Sequence, residues 1–403
     1  MIVRLIWRNL FRNKRRSLIT MASVSFAVLL AISFRSLQMG VFRHLIRNVA
    51  GMHTGYLQIH RNGYQEEPTL DNSLEFDSLQ ERMSASFDTA YTLLPRLESY
   101  CLISGDSVTK GSMIIATEPD IEDKLTALRK RIVTGKFISG AGILLAEGLA
   151  DDLAVSTGDT VVVFGQGYEG NIAAGKYPVS GIVHFASPGL NKSLAYIDIA
   201  TGRDLFSAPD RITSAVVLLK DDRNLSEKRS EIADRIGNAY EVVTWQQILP
   251  DIDSHIKADT VFFYIEIGVL YVVIAFGIFG TLIMMTNERR RENGMLLAVG
   301  MTRKRLGAVL FGETLLLGGL GALTGALISL PLVYYLTERP IRFSGRTAEV
   351  FIQFGFEPVF PATVDPIIFL QQAGIVFLLS AVLGSYPYLS ALRMDPLTSM
   401  KNS

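Results

Sequence analysis

Apolar positions along the chain collect into four long runs separated by polar segments. Leu18–Phe34 contains no charge, Val261–Thr286 is interrupted only by Glu266, Leu306–Leu336 carries Glu313, and Ile367–Leu392 closes the series. The first run reaches about 26 Å as a helix, slightly short of the ~30 Å hydrocarbon core of a bilayer. Arg35 can snorkel at its end, and Ser36–Phe42 can carry the helix out of the bilayer as a stalk. Buried helices of soluble proteins rarely exceed ~20 residues, so four runs of this kind predict four membrane spans. A basic start before an apolar run also suits a cleaved signal peptide. The run is longer than the usual h-region of ~7–15 residues and no clean small-x-small site precedes Arg35, which predicts a retained signal anchor.

Between about Arg43 and Ala258 the pattern changes to short alternating and short helical stretches, predicting an α+β domain. Strands are expected at Tyr56–His60, Ser112–Ala116, Gly142–Ala146, Thr160–Phe164, Tyr177–Val183, Ala195–Ile199 and Ala215–Leu219. Helices are expected at Asp120–Ile132, Glu147–Leu153, Leu225–Tyr240 and Trp245–Ala258, the last leading into the second span. The whole chain therefore reads as a membrane α-helical protein, one span plus three, with a large α+β domain inserted after the first.

Composition agrees with that mixture. The 403 residues are 49% hydrophobic and 19% charged, against ~25% charged in a soluble protein. Equal numbers of basic and acidic residues, 39 of each, argue against nucleic acid as a partner, and the apolar content excludes disorder. The single cysteine, Cys101, permits neither an intrachain disulfide nor a thiolate zinc cluster.

Placement of charge says more than its total. Residues 1–16 hold Arg4, Arg8, Arg12, Lys14, Arg15 and Arg16 with no acid, and the segment between the second and third runs holds Arg289, Arg290, Arg291, Arg303, Lys304 and Arg305 against Glu288 and Glu292. Thr337–Pro366 has no such excess. The positive-inside rule puts the first two segments in the cytoplasm and the third outside, with both termini inside and the large domain outside. Arg4, Arg8, Arg12 and Arg16 recur every fourth residue while Val3, Trp7 and Leu10 occupy another face, the pattern of a helix lying in the headgroup plane. Its membrane-interface residues are Trp7, Arg8, Arg12, Arg15 and Arg16.

In the loop Asn287–Arg305, the apolar block Met295–Val299 sits between two basic clusters and is bounded by Gly294 and Gly300. Such a block needs cover, either from a groove on a soluble partner or from the protein's own spans, and spacing alone leaves both open.

No catalytic constellation emerges. Gly170-Asn171-Ile172-Ala173-Ala174-Gly175-Lys176 meets the phosphate-loop pattern until Tyr177 replaces the Ser or Thr that would ligate magnesium, and a strand pattern follows instead of a helix. Ser107-Val108-Thr109-Lys110 matches S-x-x-K but lacks the S-D-N and K-T-G partners. His53 and His60, an odd offset apart, fall on opposite faces if they share a strand, which does not suggest a metal pair. Glu313, about two turns inside its span, must face a partner or water; a structural hydrogen bond to a neighbouring helix and an ion or proton path are the two readings. Gly321 and Gly325 form a small-xxx-small seam for close helix approach.

Three motifs then carry a resemblance. Arg291-Glu292-Asn293-Gly294-Met295-Leu296-Leu297-Ala298-Val299-Gly300 resembles the R-E-I-G-I-L-K-A-L-G segment of the FtsX/MacB/LolC-LolE superfamily of ABC transporter permeases. Tyr386-Pro387-Tyr388-Leu389-Ser390-Ala391-Leu392-Arg393-Met394-Asp395-Pro396-Leu397 is similar to that family's P-A-x-x-A-x-x-x-D-P ending, and Trp7–Leu18 to its R-N-L-x-R-x-x-R-R-[ST] opening. Asn293, Leu297 and Tyr388 depart from the pattern. A further stretch, Gly140–Ala150 with Gly158-Asp159-Thr160-Val161, resembles the lipoprotein-releasing members.

The resemblance implies a coupling helix that docks into a separate ATPase, with Arg291, Glu292, Gly294, Met295, Leu296, Ala298, Val299 and Gly300 as its residues. It implies no catalytic residue, cofactor or metal in this chain, ATP and magnesium being held by the ATPase subunits. It also implies a second permease chain, identical or different, in the cell inner membrane. The organisation expected is a cytoplasmic amphipathic helix at 1–16, the first transmembrane helix and stalk at 17–42, the periplasmic domain at 43–258, and the second helix at 259–286. The coupling loop follows at 287–305, the third helix at 306–336, an outer loop at 337–366, the fourth helix at 367–392 and the tail at 393–403. Lipoprotein release from the inner membrane is the first function implied, with lipoprotein cargo and a periplasmic acceptor as partners. A MacB-like drug or peptide exporter working with a periplasmic adaptor, and an FtsX-like regulator of a periplasmic cell-wall hydrolase, are the alternatives.

Overall fold

A computed structural model of the chain describes residues 6–7, 14–87, 91–219, 224–353 and 357–394. Among the described residues, four helices are long and apolar enough to cross a membrane, flanking a large α+β domain inserted after the first. The chain divides into two compact units, one holding the spans and the other residues 43–255 with 343–358.

In the membrane unit the first helix runs Lys14–Ile46 and the second Pro250–Glu288. Thr302 opens the third, Arg303–Glu338. The fourth begins at Pro366, where the Asp365 side chain accepts from the Ile367 amide at 3.0 Å, as an N-cap does. The fourth span covers Pro366–Leu392, with Gly384 (φ −61, ψ −17) keeping right-handed helical backbone between the segments Pro366–Leu383 and Ser385–Leu392. A Cβ on Gly384 would lie 2.9 Å from Thr314 Cγ2, so the backbone there rests on the third span. Val24, Ala27, Val28 and Ile32 of the first span, Ile274, Ile278 and Leu282 of the second, Ala322 and Val333 of the third and Val376 of the fourth share one apolar cluster. Only 22% of the second span's apolar window is buried, which leaves most of that helix to hydrocarbon or to another chain.

The α+β unit is built on a ten-stranded sheet. Pairing runs Tyr240–Thr244, Leu57–Arg61, Ser214–Val217, Leu93–Ser104, Thr109–Thr117, Leu194–Asp198, Ile143–Ala146, Ile172–Val183 and Ile132–Gly135, with Thr160–Gln166 joining Leu93–Ser104 to Ile172–Val183. Those last two strands have 12 residues each, long enough for their halves to pair with different neighbours. On one edge of Leu93–Ser104, residues 93–96 meet Ser214–Val217 and residues 101–104 meet Thr160–Gln166. Six strands thereby close on themselves around Leu144, Ile114, Val161, Val163, Ala173 and Tyr196. Alternation along Thr160–Gln166, with Val161 and Val163 buried and their neighbours exposed, is what a sheet with one face on the core requires.

Several expectations change. The strand expected at Tyr177–Val183 begins at Ile172, and the helix from Leu225 ends at Ile236, where Gly237 at φ +85 turns the chain into the strand Tyr240–Thr244. Trp245–Ile248 is a separate turn, because Pro250 can start a helix but cannot continue one. Leu93–Ser104, Phe76–Ser86 and Ile199–Phe206 have no counterpart in the sequence reading. The segment between the third and fourth spans carries a helix, Arg346–Gln353, and Glu357 Oε2 lies 2.7 Å from His44 Nε2 and accepts from Asn48 Nδ2 at 3.1 Å. Residues 343–358 thus belong with the α+β unit.

Candidate functional site

The second helix ends at Glu288, Arg289 leaves helical geometry at φ −93, ψ 5, and a short helix, Arg290–Ala298, follows. It stops because Gly300 adopts φ +105, a conformation side chains resist, and the amides of Gly300 and Met301 close back on Leu297 and Leu296 carbonyls at 3.1 and 3.0 Å.

This helix has two faces. Asn293, Gly294 and Leu297 are buried, and Leu297 packs with Leu306, Leu310, Ala391 and Met394. On the other side Met295 is 45%, Leu296 37% and Val299 88% exposed, with Arg291 and Ala298 also exposed and Glu292 half-buried. One face of the helix therefore packs on the protein's own spans, and the opposite face leaves apolar side chains exposed. Gly294, grouped by sequence with the docking residues, faces inward, and Gly300 forms the turn.

Glu313 meets Arg289. Nη1 of Arg289 lies 2.5 Å from Oε2 of Glu313, and both residues are buried, as is Asn293. A desolvated carboxylate is tolerated only beside a positive charge or strong donors, and the pair fastens the start of the short helix to the third span. Further along the third span, Gly321 and Gly325 lie against the first span. A Cβ on Gly325 would come within 2.5 Å of the Ser25 carbonyl oxygen, and one on Gly321 within 2.7 Å of Val24 Cβ. Ser25 Oγ donates to the Gly321 carbonyl at 3.0 Å and lies 2.6 Å from Thr324 Oγ1. Gly325→Ala forces a methyl group into that contact, and we expect a loss of about 1–3 kcal/mol, read as a lower unfolding midpoint in detergent.

Trp7 is exposed beside Ile6, which is buried and reaches the position a Cβ on Gly312 would need. Arg15 is exposed and Arg16 is helical; Arg8 and Arg12 lie outside the described residues, as does the Asp395-Pro396 ending. At the opposite end of the bundle a slot of about 310 Å3 is lined by Phe34, Leu37, Phe262, Phe263 and Phe360, with Asp259 and Glu266 among its few charges. Arg35 lies over the Phe263 ring, 4.9 Å from its centroid.

In the α+β unit, Lys176 and its neighbours sit inside the strand Ile172–Val183, so no helix N-terminus follows the phosphate-loop lookalike. His53 lies in the helical segment Arg47–Thr54 rather than on a strand with His60, so the face argument does not apply to it. Burial pushes the His53 imidazole down to about 3 and that of His60 to about 4, and His60 Nδ1 lies 2.8 Å from the Thr213 carbonyl oxygen. Among the described residues no group of three or more His, Cys, Asp or Glu side chains is placed to hold a metal ion.

Sequence reading did not pair Arg289 with Glu313, and it missed Ser25, Thr324 and the Tyr271 hydroxyl bonded to Gln372. The acid at 313 signalled the need for a cation, but six basic residues in the adjoining loop could have answered it.

Comparison with known proteins places this geometry in context. Residues 17–235 match the MacB-like periplasmic core domain and residues 264–396 the FtsX-like permease C-terminal domain. A lipoprotein-releasing system transmembrane protein LolC of Neisseria meningitidis serogroup B is 22% identical over 97% of this chain and 95% of its own length. A LolC of Xylella fastidiosa, strain 9a5c, is 22% identical over 64% of this chain, which spans 63% of that relative's length. Among solved structures, the periplasmic region of MacB from Actinobacillus actinomycetemcomitans aligns at 14% identity and a TM-score of 0.36, covering 53% of this chain and 97% of that one.

Proposed function

We propose, for a chain that belongs to the FtsX/MacB-type ABC-transporter permeases, that the short helix after the second span is the coupling element through which a separate ATPase drives the periplasmic domain. As a member of that family the chain is a non-catalytic, multi-pass membrane subunit, working with an ATPase and a second permease. ATP and magnesium belong to the ATPase.

The two-faced helix Arg290–Ala298 and its turn carry the reading. Val299, 88% exposed, is the most accessible large apolar side chain of the loop, and Met295 and Leu296 stand beside it. The opposite face is held by Leu297 and by the Arg289–Glu313 pair. A push on the exposed face is then delivered to the third span, and from Gly321 and Gly325 to the first span, whose helix runs unbroken to Ile46. The basic clusters place this loop in the cytoplasm. We expect Val299→Asp combined with Met295→Asp to abolish co-purification of the ATPase while the permease still folds; co-purification at the wild-type level would remove the docking claim.

On cargo, the match to the MacB-like periplasmic core supports an exporter-type complex, in which motion of the periplasmic domain drives a drug or peptide onward without a substrate channel through the spans. Release of lipid-modified proteins is the second reading. It is favoured by the aromatic slot between the first and second spans, apolar enough for an acyl chain, and by the LolC relatives. Reconstitution with the ATPase separates them: ATP-dependent release of a triacylated protein supports the second, and ATPase stimulation by a soluble peptide without such release supports the first.

A further inference from the structure

We propose that the polar cleft between the end of the second span and the terminal helix Ser385–Leu392 binds the phosphate of an anionic membrane lipid. The cleft, about 410 Å3, is lined by Asn287, Arg290, Tyr386, Ser390, Arg393 and Leu389 among others, and none of the described residues lining it is acidic. Its two guanidiniums approach from different segments, Arg290 from the start of the coupling helix and Arg393 from the end of the chain's last described helix. Guanidinium groups recognise phosphate oxygens through paired N–H donors, and the Ser390 hydroxyl, the Tyr386 phenol and the Asn287 amide supply further donors.

Position and lining select a lipid over a free anion. The cleft lies where two membrane helices end, and its wall includes Leu389, 50% exposed, beside the half-buried Tyr386. An apolar wall next to paired cations suits a headgroup phosphate continuing into a glyceryl ester, whereas inorganic phosphate gains nothing from it. At about 30 Å3 per water molecule the space is ample for a phosphodiester with its glycerol. The site uses none of the exposed docking side chains, so it stands whether or not the ATPase binds at Val299.

The test is native mass spectrometry of the full-length chain released from detergent with phosphatidylglycerol, phosphatidylcholine or inorganic phosphate. Phosphatidylglycerol should be retained in preference to phosphatidylcholine. Arg290→Gln with Arg393→Gln should weaken that retention by roughly tenfold or more, about what removal of two basic contacts is worth. Arg303→Gln, an exposed change on the same side but outside the cleft, should leave it unchanged. Equal retention of both lipids, survival of the preference in the double variant, or an equal loss in Arg303→Gln would overturn the site. Retention of inorganic phosphate without phosphatidylglycerol would identify a free anion as the ligand and overturn the lipid assignment.

Discussion

Glu122→Ala is expected to destabilise the periplasmic domain by about 3–5 kcal/mol, because it strips the main counter-charge from a guanidinium that cannot reach water. Arg96 is 1% exposed and Glu122 fully buried; Arg96 Nε and Nη2 donate to the two carboxylate oxygens at 2.9 and 2.6 Å, and Thr117 Oγ1 donates to the same carboxylate at 3.0 Å. The bridge joins the strand Leu93–Ser104 to the helix Pro119–Thr126. Glu98, 3.5 Å from Arg96 Nη1, offsets part of the loss but without the fork geometry. For a domain of this size the unfolding midpoint should fall by roughly 6–20 °C. Arg96→Met with Glu122→Leu removes both charges and should cost much less, so a double variant as unstable as the single one would contradict this account.

Glu313→Ala should have an effect of similar size, about 3–5 kcal/mol, with a consequence for coupling as well. Removing the carboxylate 2.5 Å from Arg289 unfastens the start of the short helix Arg290–Ala298 from the third span while leaving Met295, Leu296 and Val299 in place. The ATPase should still co-purify, but ATP hydrolysis should no longer drive transport. Arg289→Glu combined with Glu313→Arg should recover part of both stability and transport if the pair is a mechanical fastening. Were Glu313 instead a step on a proton or ion path, Glu313→Gln would abolish transport without loss of stability and the charge-reversed pair would rescue nothing.

Much of the architecture was legible because membrane insertion constrains sequence directly. A span must be long and apolar to remain in hydrocarbon, and loop arginines follow the orientation rule, so both can be counted along the chain. Elements governed by local signals were equally readable: Glu147–Leu153 forms the expected helix, and Thr160 opens the expected strand. Leu93–Ser104 was opaque because its pattern is not alternating. Five successive residues, Leu93 to Leu97, are buried, since that half of the strand has structure on both faces. The close approach at Gly384 was hidden for another reason: a glycine inside an apolar run is ordinary in membrane helices, and only the placement of Thr314 beside it shows that the third span packs there.

The candidate site divides in the same way. The sequence by itself determined that Met295–Val299 is an apolar block in a basic loop, that Glu313 must have company, and that Gly321 and Gly325 invite a close neighbour, because each is a property of residue type in a known solvent. Tertiary structure alone decided which face of the short helix is free, that Arg289 rather than any of its five basic neighbours meets Glu313, and that the first span lies in the glycine seam. Those outcomes depend on distances between segments far apart in the chain. The free energy of a buried charge or a close helix contact falls so steeply with distance that a list of eligible partners cannot rank them until the helices are placed.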